Sequence, residues 1–311
     1  MTEGTAPARP ASYDKKVGLV LQGGGALGSY QAGVYEALAS SEYMPDWVAD
    51  ISIGAINAAI IAGNAPKDRV HRLRRFWEEI TAPTKLWPQA TGALAAWQRW
   101  TSAVMAISFG QPGFFNPSAW SPSDKQISYY STSALKATLE RLVDFDRINA
   151  ENEMRLSVGA VNVETGDFTY FDSREMTIRV EHVMASGALP PGFPPVEIDG
   201  EQYWDGGLFS NTPLQYMVDY YPRRSRVIFQ VDLFPAHAHH RPTNLDEVNE
   251  RDKDIRYSSR TRLATNTLRE RHDVDTRSMS CISCCRRRSR APNRPDGSTA
   301  TDASRPWTSC S

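Results

Sequence analysis

Between Lys16 and Gly63 the chain twice runs an apolar stretch of strand length into a stretch of helical length. KVGLVL leads through three glycines into YQAGVYEALASS, and DWVADI leads through Ser52 into IGAINAAIIAG. Strand, helix, strand, helix in that order commits the chain to a parallel sheet, because parallel neighbours need a long crossover and a helix is the usual one. The fold class expected is α/β, with helices covering a mainly parallel central sheet.

The alternation extends through PKDRVHRLRRFWEEIT, a third helix with a charged outer face, and stops between 82 and 130. There Trp87, Trp97, Trp100, Phe109, Phe114, Phe115 and Trp120 lie among Pro, Gly and Ser, which reads as an aromatic-rich cap inserted into the domain. Beyond it come a helix in TSALKATLERLVDFDRIN, a strand pair around Glu164-Thr165-Gly166, and a short helix in VEHVMASGAL. A strand and turn in PVEIDGEQYWDGG, a helix in TPLQYMVDYY and a last buried strand in RVIFQVDLF complete the pattern. The expected organisation is a disordered N-terminus over 1–14, one α/β domain over 15–270, and a disordered tail over 271–311. The tail is rich in Arg, Ser and Cys and too poor in aliphatic residues to offset the entropy of ordering it.

Lys and Arg number 35 against 36 Asp and Glu, so no global field favours nucleic acid or an anionic membrane. The first residues have no signal-peptide pattern, and no stretch approaches the roughly 18 apolar residues of a membrane span. A cytoplasmic protein is expected, with peripheral membrane contact through the aromatic cap, where Trp suits an interface. Cys281, Cys284, Cys285 and Cys310 all fall in the tail, so no disulfide staples the body. CISCC lacks the second ligand pair a structural metal site needs.

Three motifs carry chemistry. Gly23, Gly25 and Gly28 fit G-x-G-x-x-G directly after a strand, which suits a dinucleotide fold with Asp50 as its acidic residue. The run Gly23-Gly24-Gly25 suits a different task, offering backbone N–H groups to an oxyanion. Ser52 stands at a strand-to-helix junction with small residues after it (Gly54, Ala55, Ala58, Ala59), as a nucleophile elbow requires; taken alone it also fits a helix N-cap. Asp205-Gly206-Gly207 puts a carboxylate on a turn, although Asp-Gly is a common turn dipeptide in any case. In this order on one α/β frame, the three are parts of one acyl-transfer machine.

These residues resemble the patatin-like phospholipases. GGGALG is similar to the family's glycine-rich oxyanion motif, DISIG to its serine elbow, and DGGLFSNTPL, preceded by ASGALPPGFPPVEIDG, to its Asp-Gly-Gly motif. The resemblance runs from about 16 to 235. It implies a three-layer α/β/α domain and a lipid acyl hydrolase with a Ser-Asp dyad: Ser52 the nucleophile, Asp205 the base, and Gly24, Gly25 and Ala26 the oxyanion donors within a loop reaching from Gly23 to Gly28. It also implies supporting roles for Gly54, Gly206 and Gly207, a lipid ester as partner, and no metal or organic cofactor. Two departures stand out. Leu27 replaces a common Lys or Arg, and Asp50 occupies the elbow position where glycine is usual. A charge there would oppose an oxyanion and raise the barrier by several kcal/mol, about a hundredfold in rate, if the carboxylate pointed at the site. That makes a catalytically impaired lipid-binding protein the alternative reading. Histidines 182, 237, 239 and 240 stand in no triad context and read as solvated surface residues.

Overall fold

The computed structural model describes residues 15–81, 110–118, 126–210, 212–222, 225–238 and 240–289, the last eighteen by their backbone path. The chain divides into two compact units, Met1–Thr265 and Asn266–Ser311, and every candidate site residue belongs to the first.

The parallel centre of the sheet is built from β1 (Lys16–Leu21), β2 (Trp47–Ile51), β5 (Arg155–Asn162) and β9 (Arg226–Val231), in the order β5-β2-β1-β9. Antiparallel strands extend it: β6 (Phe168–Asp172), β7 (Val196–Ile198) and β8 (Glu201–Asp205). Short turns dictate that direction. Gly166 (φ +73°) turns β5 into β6, and Asp199-Gly200, with φ of 53° and 88°, turns β7 into β8 as an Asx-Gly hairpin does. The sheet is thus mixed, with its parallel half where the strand-helix alternation predicts it.

The register explains how distant residues meet. Along β5, residues 157–159 pair with both β2 and β6, so those two strands lie on opposite edges. Residues 160 and 161 pair with both β6 and β8, so β8 takes the edge that β2 occupies further back. Ile51, the last residue of β2, faces Gly159, and Asp205, the last of β8, faces Ala160. The exits of β2 and β8 therefore abut, one carrying Ser52 and the other Asp205.

Helices cover both faces. On one side α1 (Gly28–Ala39), α2 (Ile53–Ala62) and α3 (Arg69–Thr81) pack on Leu19, Leu21 and Val48. All residues of α2 are buried, as its uniformly apolar sequence requires, and each of its isoleucines contributes roughly 2 kcal/mol by leaving water. In α3 the buried set Arg69, Leu73, Phe76, Trp77 and Ile80 follows helical spacing, which leaves the charges other than Arg69 outward. Two further helices, α4 (Ser133–Leu142) and α5 (Phe145–Ile148), precede β5, and α6 (Val180–Ser186) lies against β5 and α2. On the opposite face Met217 of α7 (Leu214–Asp219) packs with Val20, Trp47 and Ala49.

Of the inserted region, β3 (Asn116–Pro117) pairs with β4 (Tyr130–Ser131), while Phe114, Phe115, Tyr130 and Phe193 form one aromatic cluster. Trp87, Trp97, Trp100, Phe109 and Trp120, like residues 1–14 and 290–311, lie outside the described residues. The last helix, α8 (Leu245–Ser289), is absent from the sequence reading and continues through Cys281, Cys284 and Cys285, past the boundary expected at 270. Neither glycine nor proline occurs between 245 and 289, so no residue in that stretch breaks a helix.

Candidate active site

At the C-terminal ends of the parallel strands, where open α/β sheets hold ligands, Ser52 leaves β2 with φ 58° and ψ −127°, a conformation that costs a side-chain-bearing residue energy. Its surroundings hold it there. The Ser52 N–H donates to Ser186 Oγ (3.0 Å), and its carbonyl accepts from the N–H groups of Ala55 (3.0 Å) and Ile56 (3.3 Å). Gly54 lets α2 approach β1, since a Cβ there would stand 2.5 Å from the Leu21 carbonyl oxygen.

Asp205 meets this serine directly: Ser52 Oγ donates to Asp205 Oδ2 at 2.7 Å, and the Gly207 N–H donates to Oδ1 at 2.7 Å. Gly206 is required for the approach, because a Cβ would lie 2.5 Å from the Gly159 carbonyl oxygen. Burial pushes the Asp205 carboxyl up to about 7, against the opposing pull of the Gly207 N–H and the Ser52 hydroxyl. A carboxylate otherwise too weak a base for neutral pH thereby comes into the working range.

The glycine turn completes the constellation. Gly24 precedes a single 3₁₀ turn, Gly25–Leu27, in which Gly25 takes φ +57°. The first N–H groups of such a turn have no partner within it. Gly23, Gly24, Gly25 and Ala26 line a cleft of about 390 Å³ together with Ser52, Asp205 and Gly207. Gly28 does not line that cleft; it begins α1, and a Cβ there would meet Ile53 at 2.6 Å.

Buried amides hold both ends of this turn, a feature with no counterpart in the motif reading. Gln31 Nε2 donates to the Gln22 carbonyl before the glycines (2.6 Å), and Asn57 Nδ2 donates to the Gly28 carbonyl after them (2.9 Å). The two side chains are themselves bonded, Asn57 Nδ2 to Gln31 Oε1 at 2.9 Å, and Trp77 Nε1 donates to Asn57 Oδ1 at 3.0 Å. The Gln22 side chain accepts from the Leu233 N–H (2.6 Å) and donates to Thr261 Oγ1 of α8 (2.8 Å). Gln22, Gln31 and Asn57 are all fully buried. The signal was present, since Gln31 falls in phase with the buried residues Gly28, Tyr35 and Leu38 of α1. A polar residue on a buried helix face must have a partner.

Asp50 does not intrude on the cleft. Strand alternation puts its side chain on the same face as Val48, under the helices, where Oδ1 accepts from the Leu21 N–H at 2.6 Å. It is fully buried, and burial raises its pKa well above the usual carboxylate range. A neutral carboxyl is favoured there, so direct repulsion of an oxyanion, the concern raised by the sequence, does not follow. Oδ2 has no hydrogen-bond partner among the described residues, which makes the defect one of stability.

The histidines divide. His182 is buried rather than solvated: its Nδ1 accepts from the Arg179 N–H (2.8 Å) at the start of α6, its ring packs on Phe171, and burial lowers its pKa. Exposed His240 lies 3.5 Å from Glu247, and His239 is outside the described residues. His237 is exposed as well, and none of the described histidines lines the cleft. Among the described residues no group of His, Cys, Asp and Glu is placed to hold a metal ion, and no helix is long and apolar enough to cross a membrane.

No curated protein matches the chain significantly. Among solved structures it is similar to VipD from Legionella pneumophila, at 16% identity and a TM-score of 0.39, over 70% of this chain and 50% of that one. The chain thus spans about half the length of that protein. The family model of the patatin-like phospholipases matches residues 19–218, which include the glycine turn, the serine elbow and the Asp-Gly-Gly turn. With that match spanning well over half of its length, the chain belongs to the patatin-like phospholipase family.

Proposed function

We propose that the protein is a lipid acyl hydrolase working through a Ser52–Asp205 dyad, a reading carried by the 2.7 Å hydrogen bond from Ser52 to a buried carboxylate beside the glycine turn. Ser52 Oγ attacks the ester carbonyl as its proton passes to Asp205 Oδ2. Backbone N–H groups of Gly24, Gly25 and Ala26 receive the tetrahedral oxyanion, and the N-terminus of α2 adds favourable potential. Collapse expels the alcohol, which takes the proton from Asp205 and leaves an acyl-Ser52. Water then gives a proton to Asp205 and attacks the acyl carbon; the fatty acid departs, and the proton returns to Ser52.

Gln31 and Asn57 keep the donor turn from relaxing between steps, so the oxyanion meets groups already oriented. The impaired-enzyme alternative loses its electrostatic support, because the Asp50 carboxyl bonds to β1 and burial favours its neutral form. No observation favours the dinucleotide reading: the cleft at the glycine turn holds a serine-aspartate pair. The test is fatty-acid release from a short-chain phospholipid and from a neutral chromogenic ester by the native chain and by Ser52→Ala. Release from both that disappears in the variant supports the reading. Release that persists in the variant, or none by the native chain, refutes it.

A further inference from the structure

Part of the cleft's wall comes from α8, which no motif covers. Glu250, Lys253, Asp254 and Tyr257 all line the cleft that holds Ser52 and Asp205. At about 100° per residue these four fall within one arc of roughly 100°, so a single helix face turns toward the reacting groups. Thr261, one turn further along that face, is buried and bonded to Gln22 and to Thr212 (each 2.8 Å), and Arg260 donates to the Gly207 carbonyl (3.2 Å). Those bonds fix the charged face against the two turns that carry the donors and Asp205.

The chemistry of that face is specific. Tyr257 stacks on Phe234, with ring centroids 4.7 Å apart and an interplanar angle of 29°, and both rings line the cleft. Glu250 and Asp254 stand seven and three residues before Tyr257, so two carboxylates share the face with an aromatic pair. Asp254 has Arg251 at 3.9 Å, on the flank of the helix outside the cleft lining. Lys253 has no ion pair among the described residues. A cation without N–H groups is best held by aromatic rings and nearby negative charge, and an ammonium side chain suits a phosphate. Residues three and four apart on a helix are about 5–6 Å apart at Cβ, which suits a phosphate and an ammonium joined by two carbons. Leu27 and Leu189, also in the lining and exposed, offer apolar surface for the acyl chain.

We propose that this face of α8 is a headgroup subsite for phosphocholine esters, with Tyr257, Phe234, Glu250 and Asp254 receiving the quaternary ammonium and Lys253 the phosphate. The inference rests on the acyl-hydrolase reading for its substrate and on the cleft alone for its ligand. The full chain is assayed on water-soluble short-chain phosphatidylcholine and phosphatidylglycerol. A choline-to-glycerol ratio in kcat/KM of about ten is expected, falling toward one in Tyr257→Leu and in Glu250→Gln with Asp254→Asn. A native ratio near one, or a ratio unmoved in both variants, overturns the subsite while leaving the hydrolase intact. Should the native chain hydrolyse no ester, the hydrolase reading fails separately, and calorimetric binding of the same two lipids decides: tighter binding of the choline lipid supports the subsite, and equal binding overturns it. Free phosphocholine separates a lipid from a soluble occupant, since the lipid is expected to bind at least tenfold tighter through its acyl chain. Equal affinity reassigns the subsite to a soluble choline phosphate.

Discussion

Two sets of buried carboxylates sit at opposite ends of the same strands, and they are treated very differently. Near the entry of β2 and β5, Asp172 is fully buried and fully occupied: Arg155 reaches it through two nitrogens (2.8 and 2.6 Å), Ser157 Oγ donates at 2.6 Å and Tyr216 Oη at 2.9 Å. The Arg155 guanidinium is itself held between the rings of Trp47 and Tyr220, 4.0 and 3.6 Å from their centroids. At the exits of β2 and β8, Asp205 and Asp50 have no cation beside them among the described residues, and burial raises both pKa values. Where every lone pair is matched, a buried charge serves the fold. Where partners are few, the charge is poised to take a proton, which is useful at Asp205 and a liability at Asp50.

The strongest way to break this comparison is Asp205→Asn. Removing the base is expected to lower kcat by about a thousandfold or more, with the fold unchanged by circular dichroism. The same change is expected to stabilise the protein at pH 8 by about 2 kcal/mol in urea denaturation. A folded-state pKa raised to about 7, against about 3.9 unfolded, gives stability present below 3.9 and lost as pH rises through 7. Loss of activity together with gain of stability marks a functional carboxylate; loss of both would make Asp205 structural.

Arg155→Met tests the other centre. Asp172 would be left buried and charged beside its hydroxyl partners, and stability is expected to fall by about 3–5 kcal/mol, read as a lower urea midpoint with an unchanged slope. A change below about 1 kcal/mol would show that the network is dispensable and the contrast false.

Asp50→Gly sharpens the comparison with a smaller effect. It removes an unpartnered buried oxygen at the expense of some backbone entropy, so a gain of about 1–2 kcal/mol is expected at pH 8. The sign follows from the raised pKa: the penalty is absent below about pH 4 and grows as pH rises toward the folded-state value, so the gain should shrink at pH 4. Equal gains at both pH values would mean that packing, rather than charge, sets the effect. Smallest is Gln31→Leu, expected to reduce kcat about tenfold with KM within twofold, because a loosened donor turn weakens the transition state more than the ground state. A rise in KM alone would assign Gln31 to substrate binding.

Much of this was legible in the sequence because local pattern and tertiary role agree. KVGLVL, DWVADI and IGAINAAIIAG form the elements their periodicity predicts, and the Ser52 and Asp205 motifs occupy one cleft. The direction of the Asp50 side chain was not legible, because glycine-to-aspartate at an elbow says nothing about which face of β2 the residue occupies until the strand register is known. Gln31 and Asn57 were missed because their partners, two backbone carbonyls, each other and the Trp77 indole, lie 9 to 29 residues away in sequence. The helix α8 was missed because its cleft-facing residues are charged, so the apolar periodicity that reveals other helices is absent. Its start was marked all the same: Asn244 Oδ1 accepts from the Glu247 N–H (2.9 Å), and Glu247 returns a bond to the Thr243 N–H (2.7 Å), in the manner of a capping box.

The most direct measurement of the central claim is the pH dependence of fluorophosphonate labelling, with the modified residue mapped by mass spectrometry in the native chain and in Asp205→Asn. A single adduct on Ser52, forming at a rate that rises with pH to a plateau above about 7 and nearly absent in the variant, is the predicted result. An adduct on another residue, or a Ser52 rate that neither follows such a titration nor drops in Asp205→Asn, would contradict it.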